Sequence, residues 1–364
     1  MRLRLTQVSF SPPSRRLGAL SAGVAAVLLL SACQSQTPAP TPVPTETPEP
    51  TVEPTLTPVP TMAPTLVPTP TPAPVNALKL DANPFAVMID NIAEARPQFG
   101  LGAADVVYEA PAEAGIPRLM PLFLRQGGDA GRIGPVRSTR HYFVELANEY
   151  RAPLTHIGAS PQGFEMLAET GLPDVDEARG DGGYTRDRNR AAPHNAFVST
   201  SSVREVLQQR HVQTNATTGP LKFGADFKAG AEGATSIKIN YPGGERYSVE
   251  YTYDAASKTY PRVMDGQPHK DGSTGEQYAA RSILIQYADV APIPNDPALR
   301  VDVSLVGSGK GVLIADGTQV PVTWTKSSIQ EPTTFKRQDG TPFGVPEGQV
   351  WVQIVPLEGQ VAIS

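Results

Sequence analysis

Beyond residue 80 the chain is a succession of short apolar runs separated by polar turns. Residues 83–91 hold the apolar run Phe85 to Ile89 and close on Asp90 and Asn91, which predicts a buried strand with a polar end. Residues 106–108 and 118–124 are further strands, with Pro121 pointing to an edge or a break in the second. Phe143, Leu146, Ala147 and Tyr150 share one helical face, so a helix is expected over 139–150 with Ser138 or Thr139 as its cap. Residues 153–158 read as the next buried strand. Ser160 and Pro161 then supply a cap and a first helical residue, Phe164, Leu167 and Ala168 a common face, and Gly171 with Pro173 a stop.

After residue 225 the period changes to short alternating strands, at 236–241, 246–253, 258–264, 282–287, 301–306, 311–315, 320–325 and 349–355, with Gly, Asp and Pro turns between them. The expectation is an α+β protein: an α/β part over 77–215, then a mainly antiparallel β part over 225–364. Gly307-Ser308-Gly309-Lys310-Gly311 lacks the frame of a phosphate-binding loop and reads as a hairpin turn. Trp324 and Trp351, single aromatics in strands, read as core.

The first 76 residues have a different character. Arg2, Arg4, Arg15 and Arg16 precede an apolar stretch, Leu17 to Leu30, that is short for a membrane span. It ends in Leu30-Ser31-Ala32-Cys33, which resembles a bacterial lipobox. That resemblance implies a signal peptide over 1–33, cleavage before Cys33 and a lipid on its thiol. Residues 34–76 alternate Pro with Thr, Glu, Val and Ala, a composition that forbids helix and sheet ladders. As a disordered polyproline spacer, at ~3.1 Å per residue, this linker would reach on the order of 100 Å. The expected location is the bacterial cell membrane, lipid-anchored and facing outward, at the cell surface or in the periplasm.

Charge narrows the chemistry. The 364 residues carry a net charge of −5, which excludes a general nucleic-acid binder. Cys33 is the sole cysteine, so no internal disulfide and no cysteine-based metal site can form. No histidine spacing suits zinc, and no metal or cofactor is expected. No lysine occurs between Lys79 and Lys222, yet arginines run throughout that interval. Arginine grips carboxylate or phosphate through a rigid fork, whereas lysine is a mobile point charge. Two clusters stand out, 132–142 and 186–195. Arg137 and Arg140 lie beside an expected helix start, where an anion is favoured by the helix dipole and the free N–H groups. The candidate anion-binding residues are Arg96, Arg118, Arg137, Ser138, Arg140, Ser160, Arg186, Arg188, His194 and Asn195. The structural alternative pairs these arginines with Asp90, Glu109 or Glu113. Ser160 reads as a cap; the glycines around it miss the spacing of a nucleophile elbow.

Residues 85–91, Arg96-Pro97-Gln98, 104–109, Ile133-Gly134-Pro135-Val136-Arg137-Ser138 and Ala192-Pro193-His194-Asn195 together resemble the YerB-like family of bacterial lipoproteins, a domain of unknown function in N- and C-terminal parts (DUF3048). The resemblance spans nearly all of the chain beyond the linker. Glu113-Ala114-Gly115-Ile116-Pro117-Arg118 departs from the family's usual run but keeps Glu113 and Arg118. The resemblance implies location and architecture and assigns no catalytic residue.

Two functions remain open. One is a cell-envelope binding or regulatory module whose arginines hold an anionic wall polymer or an acidic envelope protein. The other is an envelope enzyme acting on a phosphodiester or glycan, with Asp90 or Glu109 and His194 as acid/base groups. The enzyme requires His194 to lie within about 10 Å of Arg137, since acid/base groups work at hydrogen-bond reach.

Overall fold

The computed structural model describes residues 80–125, 128–214, 217–224, 227–341, 343–356 and 360–364. The expected signal peptide, Cys33 and the Pro/Thr linker lie outside the described residues.

One mixed sheet of twelve strands organises the rest. Its N-terminal strands are β1 (Leu80–Val87), β2 (Val106–Pro111), β3 (Pro117–Arg125), β4 (Leu154–His156) and β5 (Asp174–Asp176). β3 lies antiparallel between β2 and β1, and β4 and β5 extend the sheet in parallel from β1. On the other side of β2 runs Val350–Pro356, parallel to it, then Ser282–Pro292, again parallel. Gly307–Ala315, Thr318–Lys326 and Thr334–Arg337 complete that wing as antiparallel strands. A smaller sheet, built on Ser236–Asn240, Val249–Thr252 and Tyr260–Met264, packs on one face of the large one. The fold is therefore α+β with mixed sheets.

The central strands read as nearly unbroken apolar runs because both faces are covered. From β2, Val106, Tyr108 and Ala110 face one core, together with Tyr142, Phe143 and Leu146 of α1 (His141–Glu149) and Leu167 of α2 (Pro161–Thr170). Val107 faces the other core, with Trp351, Ile239, Tyr251 and Tyr260, and with Val203, Val206 and Leu207 of α3 (Thr200–Gln209). In the small sheet, Ser236–Asn240 alternates exposed with buried residues, as a strand with one wet face must.

Several sequence expectations change. Pro121 lies inside a central strand, where the β1 ladder is interrupted between Ala86↔Leu122 and Ile89↔Leu119 and no N–H is needed. α1 starts two residues later than expected, with Arg140 at the cap position and no side-chain cap. The reason is long-range: Arg137 N donates to Met88 O and Thr139 N to Gly158 O, which holds 137–139 extended. α3 was not expected, although Ser199 caps it through a reciprocal bond with Ser202. Gly307 to Gly311 belong to a strand and not to a turn. A Cβ on Gly309 would lie 2.5 Å from the Trp324 indole, so the glycine makes room for that ring.

Two buried charge clusters join distant parts of the chain. Between the sheets, Arg262 Nη2 lies 2.8 Å from Glu109 Oε2, and neither side chain is exposed. Desolvation pulls the Arg262 guanidinium down, and Glu109 together with Tyr251 and Tyr241 more than restores it, so the cation is held. Substituting Arg262→Ala leaves the carboxylate buried and alone, which costs about 3–5 kcal/mol. Urea denaturation is expected to show that loss, with the double change Glu109→Leu, Arg262→Met recovering much of it. A single variant within about 1 kcal/mol of the parent would contradict this account, since surface substitutions change stability that little.

On the opposite face, the ammonium of Lys326 sits 2.8 Å from Glu149 and 3.7 Å from Glu145. Thr333 donates to Glu149 as well, through N and Oγ1. Burial, partly offset by Lys326, raises the Glu145 carboxyl to about 7 from 4.5. A carboxyl raised on folding binds its proton more tightly in the folded state. Stability is then greatest below the unfolded value and is lost as pH rises from 4.5 to about 7. Glu145→Gln is expected to remove roughly 3 kcal/mol of that loss. Denaturation midpoints at acid and alkaline pH check it: the parent should fall more steeply than the variant, and equal slopes would overturn the assignment.

Candidate functional site

The ends of β1, β3 and β4 and the starts of α1 and α2 converge on a cleft of about 400 Å³. It is lined by Asp90, Ile92, Glu113, Ile116, Pro117, Arg118, Arg137, Ser138, Arg140, Ala159, Ser160, His194, Ala298 and Arg300. Each polar group arrives by a different route. Asp90 lies just past β1, its N–H donating to Pro135 O. Glu113 stands in the tight turn Glu113–Gly115 between β2 and β3, and Arg118 opens β3. Arg137 and Ser138 lie on the extended bridge between Met88 and Gly158. His194 comes from the hairpin that joins Thr185–Arg186 to Ala196–Phe197, and Arg300 immediately precedes the strand Val301–Ser304.

The arginines are not equivalent. Arg118 Nη1 donates to Ser138 O at 2.6 Å and Nη2 to Glu113 Oε2 at 2.8 Å. Arg140 donates to the other Glu113 oxygen and to Thr139 O. One carboxylate thus bridges two buried guanidinium groups. Arg137 Nε lies 3.0 Å from Asp90 Oδ2 without the alignment of a hydrogen bond, and among the described residues its terminal nitrogens meet no acceptor. Arg300 uses Nη1 on Asp296 Oδ2 at 3.0 Å. Arg137 and Arg300 keep 28% and 24% of their side chains exposed, against 8% and 9% for Arg118 and Arg140. The first two are the arms free to meet a ligand.

Electrostatics agree with an under-neutralised site. Desolvation lowers Arg118 and Arg137, with Asp90 opposing it in both. Desolvation lowers Arg140 to about 10, helped by the like charge of Arg300 and opposed by Tyr142 and Asp296. All remain cations at neutral pH. His194 Nδ1 lies 2.7 Å from Asp90 Oδ2, the oxygen that Arg137 also approaches. This Asp–His pair turns the other ring nitrogen, Nε2, away from Asp90. The α2 end is already satisfied in part: Ser160 Oγ accepts from Gly163 N at 3.0 Å, so its hydroxyl is spent as a cap. The Ser138 hydroxyl has no such partner among the described residues.

Of the residues singled out from sequence, Asp90, Arg118, Arg137, Ser138, Arg140, Ser160 and His194 meet in this cleft. The others do not. Arg96 lies over the Tyr247 ring and donates to Arg246 O, pinning the small sheet. Arg186 is held by Glu177 and by Asn195, which ties up both residues. Arg188 is exposed on the hairpin. Glu109 is buried between the sheets on Arg262 and cannot exchange a proton with the cleft. Arg132 is sandwiched between Phe99 and Phe197, 4.3 and 3.8 Å from their centroids, and bonded to Asp187. Arg190 Nε donates to His194 O, so the second cluster positions the histidine. Arg300 was missed: it lies more than 100 residues from the cleft residues singled out from sequence, in a turn with no motif. Among the described residues no group of His, Asp and Glu is arranged to hold a metal ion.

Comparison with known proteins gives concordant results. Residues 70–213 match the family described as "Protein of unknown function (DUF3048) N-terminal domain". Residues 237–352 match "Protein of unknown function (DUF3048) C-terminal domain". A Bacillus subtilis (strain 168) protein named "Putative lipoprotein YerB" is 33% identical over 287 residues, covering 78% of this chain and 84% of that protein. The crystal structure of YerB protein from Bacillus subtilis superposes with a TM-score of 0.66 at 30% identity, over 77% of this chain and 94% of the solved one. The chain belongs to the YerB-like family, through both the N-terminal and the C-terminal DUF3048 domains.

Proposed function

We propose that this protein is a lipid-anchored, outward-facing envelope protein whose cleft binds an anionic ligand. The single observation that carries the binding site is the convergence of four arginines on one cleft, with the terminal nitrogens of Arg137 unpaired among the described residues. The name of the Bacillus subtilis relative and the Leu30-to-Cys33 sequence support the anchor. A guanidinium left without an acceptor in a half-buried setting is favoured by an arriving oxyanion, which supplies charge-assisted hydrogen bonds. No described helix is long and apolar enough to cross a membrane.

A second reading rests on the Asp90–His194 pair. A carboxylate on Nδ1 fixes the tautomer of a histidine and leaves Nε2 as the proton-transfer atom, the arrangement a general base needs. Arg137 and Arg300 would then stabilise developing negative charge on a phosphodiester or glycan substrate. Chain shortening of such a polymer by the protein, lost in His194→Gln, would establish this enzyme. Binding without turnover establishes the first reading.

Calorimetry against acidic envelope polymers tests the site. Arg137→Ala is expected to weaken binding by about tenfold or more, the worth of a charge-assisted hydrogen bond, while Arg188→Ala, outside the cleft, leaves it unchanged. Equal behaviour of the two variants would refute the cleft as the site. For the anchor, Cys33→Ala is expected to move the protein from the membrane fraction to the soluble fraction and to abolish incorporation of labelled fatty acid. Retention of label in that variant would overturn lipidation at Cys33.

A further inference from the structure

The hydrogen-bonding capacity left unfilled on the arginines and hydroxyls of the cleft is of one kind. The two lining carboxylates are already taken, Glu113 by Arg118 and Arg140, Asp90 by His194, Arg137 and the N–H of Ile92. What is left over on the arginines and hydroxyls among the described residues is donors: the terminal nitrogens of Arg137, the unshared N–H groups of Arg300 and the Ser138 hydroxyl. These come from two separate chain segments, so they approach a ligand from different walls. A planar carboxylate is saturated by one arginine fork. A tetrahedral phosphoryl group, with oxygens pointing in several directions, suits donors that arrive from several sides.

Charge counting narrows the class further. Arg118, Arg137, Arg140 and Arg300 contribute four positive charges. Asp90 and Glu113 in the lining, and Asp296 on Arg300, contribute three negative ones. Among these arginines and carboxylates the surplus is a single positive charge. A phosphodiester carries one negative charge, whereas a phosphomonoester carries about −1.5 to −2 near neutral pH and would face Asp90 and Glu113 with the excess. Ile92, Ile116, Pro117 and Ala298 line the same cleft and offer carbon surface to the groups esterified on either side.

We propose that the cleft binds a phosphodiester flanked by small organic groups, the repeating unit of a polyol-phosphate chain, in preference to a phosphomonoester or a carboxylate. This rests on the anion-site reading above and goes beyond it in naming the ligand's chemistry. Arg137 and Arg300 take the two non-bridging oxygens, and the Ser138 hydroxyl donates to an ester oxygen. The contribution of Arg300 makes the site incomplete in the N-terminal part alone.

Titration calorimetry on the complete chain tests this with three probes: the diester glycerophosphoglycerol, the monoester glycerol 3-phosphate and the dicarboxylate succinate. The expected result is binding of the diester, with the other two weaker by about tenfold or more, the scale of one charge-assisted hydrogen bond. Arg300→Ala and the more conservative Arg300→Gln should each lower diester affinity by a similar factor while melting with the parent's cooperativity. If the monoester or the dicarboxylate binds as well as the diester, the phosphodiester assignment is overturned and the anion site stands. If the diester binds and neither Arg300 variant weakens it, the ligand lies elsewhere and the assignment is likewise overturned. If none of the three probes binds, the anion-site reading falls with it.

Discussion

The buried pair Glu109–Arg262 is the interaction on which the rest of this molecule depends. A guanidinium can only donate hydrogen bonds, and this fact orients everything around it. Arg262 Nε donates to His269 Nδ1 at 3.0 Å, so Nε2 carries the histidine's proton and donates to Gln98 Oε1 at 2.8 Å. Burial and the charge of Arg262 hold His269 well below its ordinary value, hence neutral. The Gln98 amide then donates to Asn91 Oδ1 and to Asp90 O, and Asn91 Nδ2 donates to Glu109 Oε1. The ring closes on the carboxylate that Arg262 already holds. Every member has one permitted orientation, which is what makes a buried polar network specify a single arrangement. The small sheet, through this ring, fixes the backbone of Asp90, and Asp90 fixes His194 and Arg137.

A consequence for the cleft is a division of labour among its arginines. Arg118 and Arg140 are buried, and Glu113 with two main-chain carbonyls occupies them. They act as walls, and their partner Glu113 is itself only partly covered. Arg137 and Arg300, less buried, are the groups with capacity to spare. The structural pairing weighed from sequence and the anion site are therefore both present, on different residues. Burial of uncompensated cations costs stability, and an arriving anion relieves that cost.

The parts of this structure that were legible in the sequence are those whose cause is local. Apolar runs such as 85–89 and 283–285 announce buried strands, and Ser160-Pro161 announces a helix start, because cap and run sit side by side. The cleft residues of the first part were legible too, since Asp90, Arg137 and His194 each stand in a short polar motif at the end of an apolar run. What failed had long-range causes. The α1 cap was displaced because residues 137–139 are tied to Met88 and Gly158, and Gly309 lies in a strand because Trp324 lies over it. Arg300 has no local mark, and its place in the cleft follows from a hydrogen bond between Ala114 N and Leu299 O that no pattern encodes.

The parallel strand Val350–Pro356 lies between β2 and Ser282–Pro292 and is the last but one in the chain. The large sheet is thus closed by a late piece of sequence. A growing chain that stops short of Val350 has two half-sheets, each with an open central edge made for pairing, and the Trp351 side chain is missing from beneath the Arg262 guanidinium. Contacts that span most of the sequence form slowly and only when both partners exist. Synthesis of this protein is in that sense a keystone process: the arch is assembled from both ends and bears load only once the stone at its crown is set.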